Sequence, residues 1–159
     1  MAPAGRVFPN RRALQWAAVR IALGQINPTI GDFAGNLALI DEALGRAERG
    51  GADLLVLPEL ALCGYPPRDL LEKPAFLARS GQATQEIARA VPGISIVCGF
   101  VSPAKVETGK SVMNSAAVLR DGQIQFIQSK MLLPTYDVFD EVRYFAPADR
   151  KSTRLNSSH

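Results

Sequence analysis

Three stretches with strand patterns alternate with two stretches of helical periodicity, and this order restricts the chain to a sheet covered by helices. The strand patterns are RIALGQI, which alternates, and the more continuously apolar DLLVLP and GISIVCGF. Helical periodicity extends from Asn36 to Arg49 and from Pro74 to Ala90, with Pro74 in the first turn. A hairpin follows in VMNSAAVLRDGQIQFIQSK, because Asp121-Gly122 is a two-residue turn signal. We therefore predict an α/β fold with a mixed sheet and its helices on one face.

The positive charge of the chain lies at its two ends. The 159 residues carry a formal charge of +3, yet residues 20–148 contain 12 basic and 14 acidic side chains, a net charge of −2. A nucleic-acid-binding domain carries its basic excess on the folded part, so we predict no nucleic-acid partner. No apolar run reaches the roughly 20 residues of a membrane-spanning helix, and we predict no membrane partner.

The two cysteines, Cys63 and Cys98, lie among apolar neighbours without the spacing of a zinc site or a disulfide framework. His159 is the single histidine that could join them in a metal site. We predict that both cysteines belong to the core, that there is no metal site, and that the protein is cytoplasmic, in a reducing environment.

Both ends of the chain differ from its middle in composition. Residues 1–19 contain arginine without acid, but Pro3 and Pro9 are incompatible with the amphipathic helix of a transit peptide. We predict a spurious N-terminal extension from a misassigned start codon. Residues 149–159 are polar and aperiodic, and one choice of codons for them spells a widely used sequencing-library adapter. We predict that this segment is a translated adapter; a native polar tail is the alternative.

Two charged residues follow apolar strands at distant points of the sequence. Pro58 removes a ladder donor, so the strand before it should end near Leu57 and present Glu59 at its carboxyl end, where open α/β sheets bind ligands. Lys130 follows the strand IQFIQSK in the same way. If the two converge, the carboxylate can act as a general base and the ammonium can stabilise an oxyanion. The alternative is that each is a solvated side chain at the start of a loop.

The stretches VLPELALCGYPPRDLL and SKMLLPTYDVFDEVRYF together resemble the nitrilase, or carbon-nitrogen hydrolase, superfamily. GYPPRDLL, LPTYDVFDEVRYF and IALGQINPTIGDFAGN resemble, more narrowly, the glutaminase domain of glutamine-dependent NAD synthetases. The resemblance covers residues 20–148. It implies the N-terminal part of a nitrilase-like α-β-β-α sandwich.

The resemblance also implies roles for individual residues. In the Glu-Lys-Cys catalytic set of the family, Glu59 matches the general base and Lys130 matches the residue that stabilises the tetrahedral oxyanion. Tyr65, Tyr136 and Glu141 match positions that line the glutamine pocket. An acidic residue such as Glu141 suits the α-ammonium group of glutamine.

The nucleophilic cysteine of the family lies on a strand after the lysine, and neither Cys63 nor Cys98 matches it. We therefore expect residues 20–148 to be a partial carbon-nitrogen hydrolase domain that is inactive alone. The resemblance implies a longer, homo-oligomeric protein that takes ammonia from glutamine. A further domain would use ATP and magnesium to amidate deamido-NAD, and no cofactor is expected in this domain. The alternatives are a free-standing nitrilase-family amidase and a non-catalytic member of the fold.

Overall fold

The computed structural model of the chain describes residues 18–91, 93–104, 109–136 and 139–148, with the backbone of 154–155. The segments that we predict to be an extension and an adapter lie almost wholly outside these residues. The described elements, in chain order, are β1 (Ile21–Leu23), α1 (Phe33–Arg49), β2 (Leu54–Val56), a 3₁₀ helix (Arg68–Glu72), α2 (Pro74–Ala90), β3 (Ser95–Pro103), β4 (Val112–Arg120), β5 (Gln123–Ser129), α3 (Glu141–Tyr144) and β6 (Arg154–Leu155).

The six described strands form one mixed sheet in sequence order, which confirms the predicted fold class. Strands β1, β2 and β3 are parallel, whereas β4, β5 and β6 each pair antiparallel with the strand before them. The predicted hairpin joins β4 to β5. Asp121 and Gly122 have φ angles of 50° and 77°, as a type I′ turn requires.

Helices α1 and α2 pack against each other on one face of the sheet. Each is part of a crossover between adjacent parallel strands, and right-handed crossovers in the same direction place both helices on the same side. The core between helices and sheet contains Cys63 and Cys98, both fully buried, as predicted. No helix within the described ranges is long and apolar enough to cross a membrane.

Helix α1 begins at Phe33, three residues before the predicted start at Asn36. The side chain of Asp32 accepts a hydrogen bond from the backbone N–H of Gly35 at 2.9 Å and so caps the helix earlier. Asn36 lies inside the helix, where its side chain binds the backbone of Thr29 and Leu62. Helix α2 has the predicted limits.

The carboxyl ends of β1, β2, β3 and β5 lie at one edge of the sheet, together with the amino end of β4. This follows because β4 is the strand among these five that runs in the opposite direction. The 3₁₀ helix and α3 contact each other, and neither is predicted from the sequence. Both are too short to show a hydrophobic period.

Gly99 in β3 lies directly beneath the segment that carries Glu59. A Cβ atom at this position would be 3.0 Å from the carbonyl carbon of Glu59 and closer still to the backbone nitrogen of Leu60. The obstructing atoms belong to the backbone, so the segment would have to move. We expect Gly99→Ala to lower the free energy of unfolding by about 1–3 kcal/mol, as overpacking does.

Gly81, exposed on α2, provides the matched control, because a Cβ atom there meets nothing within 4 Å. Gly81→Ala should raise the free energy of unfolding by about 0.5–1 kcal/mol, since glycine is unfavourable inside a helix. Thermal and urea unfolding of the two variants beside the parent chain measure both effects. Equal free energies of unfolding for the Gly99 and Gly81 variants would contradict this, because they would show that the 58–60 segment moves aside without a cost in stability.

Candidate active site

The ammonium group of Lys130 lies between two carboxylates. Its Nζ is 2.9 Å from Oε1 of Glu59 and 2.9 Å from Oε1 of Glu141. Glu59 follows β2, Lys130 follows β5, and Glu141 begins α3, so the shared edge of the sheet brings the three residues together. Two of these side chains are 71 residues apart in sequence.

The three charged side chains differ in depth. Glu59 retains 46% of its side-chain exposure, Lys130 retains 31% and Glu141 retains 3%. Burial alone lowers the pKa of Lys130, but the hydrogen bonds and charges of Glu59 and Glu141 outweigh it and the net shift is upward. Lys130 is therefore fully charged at neutral pH and acts as a donor.

Tyr65 joins the charged cluster from the loop after β2. Its hydroxyl donates to Oε1 of Glu141 at 2.8 Å, the same oxygen that Lys130 binds. Burial and this hydrogen bond both raise the pKa of Tyr65, so the phenol stays neutral. The other oxygen of Glu141, Oε2, is buried and has no hydrogen-bond partner among the described residues.

Tyr136 lies at the rim of the site, with 69% of its surface exposed. Its ring packs edge-on against the ring of Phe139, with 5.7 Å between the ring centroids. The centroid of the Phe139 ring lies 6.1 Å from that of Tyr65. Of the five residues named from the sequence, the structure thus links Glu59, Lys130, Glu141 and Tyr65 by hydrogen bonds. Tyr136 joins them through aromatic contacts.

Two clefts border this cluster. One, of about 360 Å³, is lined by Glu59 and Lys130 on the sheet. The other, of about 250 Å³, is lined by Tyr65 and Glu141. The first volume lies at the lower end of the range for small-molecule sites. A carboxylate and an ammonium at the mouth of one cleft can move a proton and stabilise an oxyanion in the same reaction.

Asn114 belongs to the site but is absent from the residues that the sequence singles out. Its Nδ2 donates a hydrogen bond to Oε1 of Glu59, and it lines the larger cleft. The available signal was an asparagine inside the mainly apolar strand VMNSAAVL, because buried polar side chains need a partner.

Neither cysteine is placed to act as a nucleophile in this site. Cys63 and Cys98 are fully buried, and neither lines the cleft of Glu59 and Lys130. Burial raises the pKa of both thiols to about 12, which suppresses the reactive thiolate. In the described part of the chain no group of three or more His, Cys, Asp or Glu side chains could hold a metal ion.

A sequence profile of the carbon-nitrogen hydrolase family matches residues 20–156. The chain belongs to this family. Among curated members with related sequences, the glutamine-dependent NAD(+) synthetase of Synechocystis sp. is 50% identical over 132 residues, and that of Thermotoga maritima is 44% identical over 133 residues. The matches cover 80% and 82% of this chain but 24% and 22% of the relatives, so the chain spans about a quarter of their length.

Solved carbon-nitrogen hydrolase structures of two kinds share the fold. The glutamine-dependent NAD⁺ synthetase from Acinetobacter baumannii has a TM-score of 0.74 at 39% identity, over 82% of this chain and 24% of that chain. A cysteine-to-alanine variant of the Nesterenkonia AN1 amidase, from the nitrilase superfamily, has a TM-score of 0.68 at 30% identity, over 83% and 49%. Another structure of that amidase shows acrylamide added to its active-site cysteine. These similarities confirm the predicted nitrilase-like fold.

Proposed function

We propose that this chain is the first part of the glutaminase domain of a glutamine-dependent NAD synthetase. The observation that carries the proposal is the placement of Lys130 between Glu59 and Glu141, at a cleft in a chain 50% identical to such a synthetase. In the complete protein, the ammonia released from glutamine would amidate deamido-NAD in a second, ATP- and magnesium-dependent domain. We propose a cytoplasmic location for this reaction.

The geometry supports different roles for Glu59 and Lys130 in amide hydrolysis. Glu59 would take the proton of a cysteine thiol supplied by a later segment, and the sulfur would attack the amide carbon of glutamine. The negative charge that develops on the amide oxygen would lie against the ammonium of Lys130. Glu59 would then pass the proton to the amide nitrogen, which leaves as ammonia when the C–N bond breaks, and the remaining thioester is hydrolysed by water.

Glu141, Tyr65 and Tyr136 are proposed to bind the substrate and support Lys130. The neutral hydroxyl of Tyr65 and the ammonium of Lys130 both donate to the carboxylate of Glu141. Among the described residues Oε2 of Glu141 has no hydrogen-bond partner, which supports a role in accepting the α-ammonium group of glutamine. The exposed ring of Tyr136 is suited to cover the bound substrate.

A chimera tests the proposal. Residues 20–148 would replace the matching segment of the Synechocystis enzyme, and NAD formation from deamido-NAD and ATP would be measured with glutamine and with ammonium as nitrogen source. We expect glutamine to support NAD formation by the chimera. If the chimera folds and uses ammonium but not glutamine, residues 20–148 do not form a glutaminase site. In that case a free-standing amidase for another amide, or a non-catalytic member of the fold, becomes the better interpretation.

The 159-residue chain alone should release no ammonia from glutamine, because its two thiols are buried and protonated. At pH 8 both should react with a disulfide reagent at least about 100-fold more slowly than in urea, since their thiolate fraction is small. An ammonia assay and a thiol titration, each with and without denaturant, measure these properties. Ammonia release that disappears in Cys63→Ser or Cys98→Ser would contradict the prediction.

A further inference from the structure

Asn114 contacts both charged residues of the larger cleft. It lies in β4 with 4% of its surface exposed. Its side-chain Nδ2 donates to Oε1 of Glu59, and its backbone carbonyl accepts the N–H of Lys130 at 2.8 Å. Asn114 thus connects the side chain of Glu59 to the backbone of Lys130 through one residue of a buried strand.

The two donors around Glu59 act on the same oxygen. Nδ2 of Asn114 and Nζ of Lys130 both bind Oε1, and no donor among the described residues binds Oε2. A carboxylate oxygen has two lone pairs in the plane of the group, so these contacts occupy Oε1. They leave Oε2 as the oxygen that is free to accept a proton.

We propose that Asn114 is a positioning residue that makes Oε2 of Glu59 the atom that receives the thiol proton. This inference rests on the proposed function, because it assigns a role within the same amide hydrolysis. In this proposal Asn114 acts through Glu59, whose Oε1 accepts its Nδ2–H, rather than on the reacting atoms themselves. An amide suits the position because it donates a hydrogen bond without adding charge.

The charges around Glu59 explain why a carboxylate would fail in place of Asn114. Lys130 faces Glu59 from the end of β5, and Glu141 and Tyr65 lie behind Lys130. One ammonium is therefore already shared by two carboxylates. A third carboxylate beside Glu59 would favour protonation of the base, and a base that is already protonated cannot accept the thiol proton.

The test compares Asn114→Asp and Asn114→Ala in the chimera, using the pH dependence of kcat/KM for glutamine hydrolysis. We expect the acidic limb to move to higher pH by at least about one unit in Asn114→Asp, and by less in Asn114→Ala. At neutral pH kcat should fall by roughly 10- to 100-fold, with KM for glutamine changed by less than about threefold. If Asn114→Asp does not fold, Asn114→Ala carries the same test, because it removes the donor without adding charge.

Asn36→Asp is the matched control, since Asn36 is also buried, with 1% exposure, but binds backbone groups of Thr29 and Leu62. It should reduce the folded fraction without moving the acidic limb. An active parent chimera whose Asn114 variants keep the parental limb would overturn the role of Asn114 and leave the proposed function intact. An inactive parent chimera, with glutamine as nitrogen source, would overturn the proposed function itself.

Discussion

Glu59→Gln should reduce glutamine hydrolysis by the chimera by about 10³-fold, within the range that a general base contributes. Glutamine has nearly the same shape as glutamate, and its carbonyl oxygen can still accept from Asn114 and Lys130 as Oε1 does. The geometry is therefore retained while the ability to accept a proton is lost. Steady-state ammonia release should show the loss in kcat, with little change in KM.

The control for this experiment is Glu42→Gln on α1, where an exposed glutamate pairs with Arg46 at 3.7 Å, away from the cleft. It removes the same charge and should leave ammonia release unchanged. Formation of NAD with ammonium as nitrogen source should also be unchanged in both variants. A Glu59→Gln chimera that keeps more than a tenth of the parental rate with glutamine would exclude Glu59 as the base.

Lys130→Met should have a double effect, because Lys130 is the ion-pair partner of both Glu59 and the buried Glu141. Removing one partner of a buried ion pair costs about 3–5 kcal/mol. Lys130 retains 31% exposure, so solvent screening should reduce the loss in unfolding free energy to about 2 kcal/mol. The second effect is catalytic: loss of an oxyanion donor should lower kcat by about 10²- to 10³-fold.

The two effects of Lys130→Met can be separated with a second substitution. Lys130→Met combined with Glu141→Gln removes both the cation and the buried anion, so we expect urea unfolding to show stability close to that of the parent. Activity should remain lost. The stability defect of Lys130→Met alone should diminish at acidic pH, where the unpaired carboxylates take up protons. Activity restored together with stability would contradict a catalytic role for Lys130.

Most of the fold follows from local patterns in the sequence. The strand runs, the two long helices and the Asp121-Gly122 turn are strong signals, because period and turn chemistry both depend on neighbouring residues. The predicted start of α1 was wrong by three residues, because Asp32 caps the helix so that it begins at Phe33. The 3₁₀ helix and α3 were missed because elements of four or five residues show no period.

The site was predictable in part for the same reason. Glu59 and Lys130 follow recognisable strands, and because β2 and β5 run in the same direction both residues lie at one edge of the sheet. That Glu141 binds Lys130 depends on the path of the chain between β5 and α3, which local patterns do not determine. The role of Asn114 depends on strand register, since a shift of one residue would turn its side chain to the other face.

The most direct test of the central claim, that Glu59 and Lys130 serve a cysteine from a later segment, is to sequence the source DNA past the codon for Ala148. We expect the reading frame to continue into a strand that carries a cysteine, because the matched segment covers only 24% of the Synechocystis relative. A genomic stop codon directly after His159 would contradict the claim. The two strand-end charges would then belong to a non-catalytic member of the family, whose role would have to be sought in binding.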